Sequence, residues 1–345
     1  MIDYLIVGSG LAGIAFSETA LQHGKSIRVF DNHSQQSSSV AAGLYNPVIL
    51  KRFSGLQQAQ QQLYAMQRFY EILEPKIGVV VNHRMPILRK FFSVEEQNNW
   101  FTASDKPNLS AFLSTELIHQ QYPGIESPFG FGEVLQTGYV DTARLVQSYR
   151  EYLSSHNWFD GSGFDYSQLE ITADFVRYKD IEARQIVFAE GFGIKHNPYF
   201  NYLPLNGTKG ELMIVRAPEL KLDAIVKGNV FVLPIGNDLF KIGATYNWED
   251  KTNEPTAEGR KELVEKANEI LHCDYEIVSH LAGIRPTVKD RKPLLGTHPQ
   301  YQNLHVFNGL GTRGVMLAPL MAQILFESIE EGKTIDRELR IERFG

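Results

Sequence analysis

The sequence predicts an α/β protein in which a Rossmann-type domain, a doubly wound and mainly parallel sheet, is interleaved with an α+β domain on a largely antiparallel sheet. Three observations carry this. An uninterrupted apolar run at residues 4–7 enters a glycine-rich turn and then a helix; a strand followed by glycines returns at 183–193 and at 304–314; and hairpin-spaced strands occupy 210–245 between them. The first domain is assigned residues 1–77, 134–202 and 283–345, and the second residues 78–133 and 203–282.

Residues 4–7 contain no polar interruption, as expected of a strand buried on both faces, and run into Gly8-Ser9-Gly10-Leu11-Ala12-Gly13. This is G-x-G-x-x-G in the strand, turn and helix context that a dinucleotide site requires. Gly8 permits the tight turn, Gly10 lets backbone approach a pyrophosphate, and Gly13 lets the helix pack on the strand. The diphosphate is expected on the helix N-terminus at Leu11 and Ala12, where free N–H groups and the dipole favour negative charge. A second strand at 26–30 ends at Asp31, eighteen residues beyond Gly13, about where a carboxylate accepts hydrogen bonds from an adenosine ribose.

Residues 32–39 read as a polar, flexible segment. The small residues of 40–48, including Ala42 and Gly43, suit either a backbone lying against a flat ligand or an ordinary loop. Residues 57–73 place Leu63, Met66, Phe69, Tyr70 and Leu73 at helical spacing, and this helix is expected to stop at Pro75. Strand character follows at 78–92 around a turn near 82–86, with short helices expected at 94–101 and 115–121. Residues 130–135 read as a strand, and Asp141 is the expected N-cap of a helix that buries Leu145, Tyr149, Tyr152 and Leu153.

Strands at 173–178 and 183–189 flank a turn. Val176 of the first is assigned to the dinucleotide site, and Gly191 follows the second, at a strand end that either carries ligand or simply loops. Strands at 210–215, 230–234 and 239–245, a helix at 256–271 and a strand at 275–281 extend the second domain. A strand at 304–308 then enters Gly309-Leu310-Gly311-Thr312-Arg313-Gly314, and a helix starts at Val315 and runs to 331. This second glycine turn also presents N–H groups to an electron-rich ligand.

Composition narrows the function classes. The net charge of −6 gives no general electrostatic reason to bind nucleic acid or an anionic membrane. The single cysteine, Cys273, excludes an intrachain disulfide and a multi-cysteine metal site. The ten histidines show no H-x-x-H or H-E-x-x-H spacing, so no metal is assigned, and no G-x-S-x-G elbow suggests a serine nucleophile. No apolar run approaches the roughly 20 residues of a membrane span. The first residues enter a core strand without a basic segment, and a cytoplasmic location is the expectation.

The pattern as a whole resembles the D-amino-acid oxidase family of flavoproteins, which includes glycine oxidase, sarcosine oxidase and the oxidase half of the bifunctional enzyme that modifies tRNA wobble uridines. The resemblance rests on GSGLAG with Asp31, AAGLYNPV, GYVDTARL, VFAEGFG, FKIGATY, AGIRPTVKDRKPLLG and FNGLGTRGVMLAP, and covers essentially the whole chain. It implies non-covalent FAD, extended through the Rossmann-type domain with its ring at the domain boundary. The terminal cysteine that binds flavin covalently in sarcosine oxidase has no counterpart here.

The resemblance also implies site residues. Arg285 matches the arginine that holds the substrate carboxylate, a task suited to a guanidinium fork. Lys241 either, as it looks aligned, matches a lysine that activates oxygen beside the flavin, where positive charge stabilises superoxide, or is an exposed strand lysine. Tyr246 is expected either to hydrogen-bond a carboxylate near Arg285 or to be a buried sheet tyrosine; Arg313 either contacts the flavin or substrate or lies at the surface. The expected activity is oxidation of the C–N bond of a small amino acid or secondary amine bearing a carboxylate, by hydride transfer from substrate carbon to flavin N5 and imine hydrolysis, with oxygen or another acceptor taking the electrons. A tRNA wobble-uridine oxidoreductase and a flavin-binding protein without turnover are the alternatives. The acidic balance argues against a nucleic-acid partner except under the tRNA reading.

Overall fold

The computed structural model describes residues 1–344. Its first sheet has a parallel core of Phe159–Asp160, Ile27–Phe30, Ile2–Val7, Ile181–Phe188 and Leu304–Asn308. Val176–Tyr178 and Leu169–Ile171 extend it antiparallel on one side, and Leu294–Thr297 pairs antiparallel with Leu304–Asn308. Residues Tyr4 to Ile6 and Ile186 to Phe188 are fully buried, which is why their strands read as unbroken apolar runs. Helices Leu11–Gln22 and Gly314–Glu331 pack on one another beside the strand Ile2–Val7. Tyr4, Phe16 and Phe326 form an aromatic cluster at this junction, with Tyr4 edge-on to Phe16 at 5.1 Å.

The second sheet has eight strands in the order Glu276–Arg285, Thr208–Arg216, Leu239–Gly243, Phe231–Gly236, Ile225–Lys227, Ile87–Lys90, Phe131–Val134 and Leu113–Ile118. All neighbours are antiparallel except Ile225–Lys227 with Ile87–Lys90. The segment expected as a helix at 115–121 is instead the edge strand Leu113–Ile118, with Leu117 opposite Gly132 and Ile118 opposite Phe131. Pairing to an existing sheet overrides the weak local preference of so short a segment. The expected boundaries at 133/134 and 282/283 each fall inside a strand of this sheet.

Two prolines sit inside helices. The helix Ala59–Ile77 continues through Pro75 and ends at Gly78, whose φ of 69° lets its N–H reach the Glu74 carbonyl. A C′ glycine, not the proline, closes it. Pro319 lies in the second turn of Gly314–Glu331 and cannot donate to the carbonyl of Val315, four residues back. That carbonyl accepts the Tyr70 hydroxyl at 3.3 Å instead. The helix thus keeps its proline without an orphaned acceptor. The segment expected to be flexible at 32–39 leads into a short helix, Ser37–Val40, at the edge of the site. No helix among the described residues is long and apolar enough to cross a membrane.

Candidate functional site

A cavity of about 660 Å³ lies between the two sheets. Gly8, with φ of +105°, turns the chain out of the first strand; a side chain there would put Cβ 2.4 Å from the Ala189 carbonyl oxygen. At Gly13 the same carbon would lie 1.9 Å from the Gly8 oxygen, so this glycine serves helix packing and does not line the cavity. Gly10, Leu11 and Ala12 do line it, and Gly10 at the N-cap has no side chain with which to cap the helix. The only side chain near Gly10 is Ser38, whose Oγ accepts the Leu11 N–H at 3.2 Å.

Asp31 lines the same end of the cavity. Its Oδ2 accepts the backbone N–H and the hydroxyl of Ser9 at 2.5 and 2.8 Å, and lies 3.3 Å from the Arg150 guanidinium. Arg150 Nε donates to the Ser9 hydroxyl at 2.6 Å. A hydrogen-bonded triad of Ser9, Asp31 and Arg150 therefore fixes the carboxylate at the strand end, and neither Ser9 nor Arg150 carries a local sequence signal for that task. Phe164 and Tyr166 line the wall here together with Glu190. The Tyr166 hydroxyl donates to Glu190, as does the Asn197 amide at 2.7 Å. Burial pushes the Glu190 carboxyl up to about 7 against these two donors. Val176 is not brought to the cavity: it pairs with Ala183 and is fully buried in the core behind the sheet.

The cavity is also lined by Ala42, Gly43, Gly191, Gly311, Thr312, Gly314 and Val315. A Cβ at Gly191 or Gly311 would meet no protein atom within 4 Å, so both positions stand open on the cavity wall. Gly309 does not line it; its φ of +75° and a would-be contact of 2.6 Å to Val288 make it a packing glycine. Arg313 is the residue before the helix Gly314–Glu331 and also does not line the cavity. Gly314 packs against Leu11, where its own Cβ would lie 2.8 Å from Leu11 Cδ1. Two helix N-termini thereby converge on one space, a setting suited to a long, anionic, partly flat ligand.

The second sheet supplies the floor. Arg285 ends its strand opposite Thr208, and its guanidinium lies flat over Gly210, where a Cβ would sit 1.9 to 2.2 Å from three of its atoms. It donates to the carbonyls of Thr245 at 3.2 Å and Lys209 at 3.4 Å, and stacks on the Tyr246 ring at 4.5 Å. Among the described residues it has no carboxylate partner, and burial lowers its pKa. Tyr246 is 60% exposed, so it forms a rim and is not the buried sheet tyrosine that was the alternative.

Lys241 sits in Leu239–Gly243 opposite Leu233 and Ile214, two residues from Gly243. It shares the sheet face but does not line the cavity; burial, opposed by Asp141, lowers its pKa. Lys227 lines the cavity in its place. Burial, with help from the nearby cations Arg89 and Lys266, brings its ammonium down to about 8. Nothing local in Ile-Val-Lys marks this lysine; only the strand order brings it to the floor. No group of three or more His, Cys, Asp or Glu side chains is placed to hold a metal ion among the described residues.

Residues 3–328 match the family model described as FAD dependent oxidoreductase. The chain is 22% identical over 351 residues to glycine oxidase of Bacillus subtilis, covering 95% of this chain and 92% of that protein. It is 23% identical over 389 residues to the tRNA 5-methylaminomethyl-2-thiouridine biosynthesis bifunctional protein MnmC of Shewanella halifaxensis, and spans 59% of that protein's length. In fold it is similar to the crystal structure of glycine oxidase from Geobacillus kaustophilus, with a TM-score of 0.76 and 21% identity over 97% of this chain and 96% of that one.

Proposed function

The chain belongs to the family of FAD-dependent oxidoreductases, and on that premise we propose that it oxidises the C–N bond of a small amine carrying a carboxylate, glycine or an N-substituted glycine. FAD, when bound, supplies the acceptor for the hydride removed from the substrate carbon. The glycine turn and uncapped helix at Gly10, Leu11 and Ala12 suit its diphosphate, with Asp31 at the adenosine end. Ala42, Gly43, Gly311, Thr312, Gly314 and Val315 are the residues that would hold its ring, since they present backbone and small side chains to the cavity.

One observation carries the substrate reading. The Arg285 guanidinium is largely buried, bonded only to backbone carbonyls, and faces the cavity without a carboxylate. A buried cation in that condition is under-compensated, and a substrate carboxylate completes it with a charge-assisted, bidentate pair. The stack on Tyr246 holds the plane of the fork. Similarity to glycine oxidase along 95% of the chain supports the same substrate class.

The test is anaerobic bleaching of the bound flavin by amino acids, N-methyl amino acids and tRNA bearing carboxymethylaminomethyl uridine, with wild type and Arg285→Lys. Loss of the bidentate geometry is expected to raise KM roughly 10- to 100-fold while FAD stays bound. Unchanged kinetics would remove Arg285 from the site. Bleaching by the tRNA alone would favour the wobble-uridine reading, and bleaching by nothing would favour a binding protein without turnover.

A further inference from the structure

We propose that Lys227 is a second anion-binding group in the same cavity and selects amines that carry a second carboxylate besides the one held by Arg285. This rests on the reading of Arg285 given above.

The strand register places both cations on one face. Lys227 pairs with Phe231, Phe231 with Gly243, and Gly243 with Leu212, two residues from Gly210, over which Arg285 lies. Directly paired residues share a sheet face, as do residues two apart on a strand. Gly243 leaves the room that the Phe231 ring fills, since a Cβ there would sit 3.0 Å from that ring. The Lys227 ammonium stands 5.7 Å from the same ring, so Phe231 forms an apolar divider between two cationic ends.

The Lys227 ammonium has no hydrogen-bond or carboxylate partner among the described residues, although the residue lines the cavity. Its charged neighbours are the wrong sign to neutralise it: Arg89 is paired with Glu96, and Lys266 with Glu262. Nearby Asn229 is engaged with Glu269. A partly desolvated ammonium without a counter-ion is the condition that an incoming anion relieves.

The spacing suits a compact dicarboxylate. Three strand spacings of about 4.8 Å and a two-residue offset of about 7 Å put the backbones under Arg285's resting place and Lys227 roughly 16 Å apart, and the flexible Lys227 stem shortens the gap between the charges to roughly 10–12 Å when it extends toward Gly210. Iminodiacetate, with one carboxylate at each end of a secondary amine, bridges such a gap when each end makes a charge-assisted contact of about 2.8 Å. Its Cα–H and nitrogen then lie over the Phe231 divider, in the middle of the cavity.

The experiment compares iminodiacetate with sarcosine as reductants of the FAD-loaded enzyme under anaerobic conditions, in wild type, Lys227→Met, Lys227→Arg and Arg285→Lys. Wild type is expected to prefer iminodiacetate, Lys227→Met to reduce that preference at least tenfold, and Lys227→Arg to restore most of it. An unaltered preference in Lys227→Met, or a wild type that prefers sarcosine, overturns the proposal. Failure of the underlying reading shows differently: Arg285→Lys would then leave both amines unaffected, whereas a loss for both amines in Arg285→Lys with no change in Lys227→Met refutes Lys227 alone.

Discussion

Gly210 is the position at which a single carbon tests the site most sharply. Its backbone is ordinary strand, paired with Gly283 and two residues from Leu212 on the floor, so Gly210→Ala introduces no conformational strain. The new Cβ, however, would fall 1.9 to 2.2 Å from the Arg285 guanidinium, where ordinary contacts are about 3.5 Å or longer. The guanidinium must therefore move by roughly 1.5 Å, away from the Thr245 and Lys209 carbonyls and out of its stack on Tyr246. Since the group displaced is the end of a flexible side chain, the fold accommodates it and the cost falls on substrate. Losing one or two charge-assisted hydrogen bonds to a carboxylate costs about 1.5–3 kcal/mol, or roughly 10- to 100-fold in affinity. The assay is KM for the best amine substrate, with flavin absorbance and thermal melting recorded on the same samples. A KM within twofold of wild type, in a folded and yellow protein, would refute the claim that Arg285 in this pose anchors the carboxylate.

Two further outcomes follow from local geometry. Glu190 is held protonated up to about 7 by burial, above its ordinary 4.5, so its contribution to stability is complete below pH 4.5 and is lost as pH rises through 7. Glu190→Gln should therefore gain on wild type by up to about 3 kcal/mol in denaturant unfolding between pH 4.5 and 8, and a constant difference across that range would rule the burial argument out. Tyr70→Phe strands the Val315 carbonyl that Pro319 leaves free, and a loss of about 1 kcal/mol is expected in the same assay; an unchanged midpoint would mean that the carbonyl finds another donor.

The dinucleotide end was legible because its requirements are local. A buried strand, a turn that only glycine can make and a helix that starts without a cap must be consecutive in sequence, and Gly8 through Asp31 states all of them in one stretch. The second glycine turn at 309–314 was legible for the same reason, although the structure divides its residues: Gly311, Thr312, Gly314 and Val315 face the cavity, whereas Gly309 and Arg313 do not. Gly13 serves helix packing, as its place in the motif requires, whereas Val176, assigned to the dinucleotide site, lies in the core.

The floor of the site was legible only in part. Arg285 stands at the end of its strand in a motif that can be quoted, but its pose depends on the absence of a side chain at Gly210, 75 positions away in sequence and beside it only through strand pairing. Lys241 and Lys227 illustrate the limit most clearly. Each is one lysine in a short apolar strand, and no periodicity distinguishes them. Which of them reaches the cavity is fixed by strand order and register across four strands, and those are set by long-range pairing and burial rather than by neighbours in the chain. The sequence by itself determined the nucleotide-binding turn, the parallel core and the guanidinium set at a strand end. Only the tertiary structure decided which cations share that guanidinium's space, because a sheet brings together side chains that no local spacing relates.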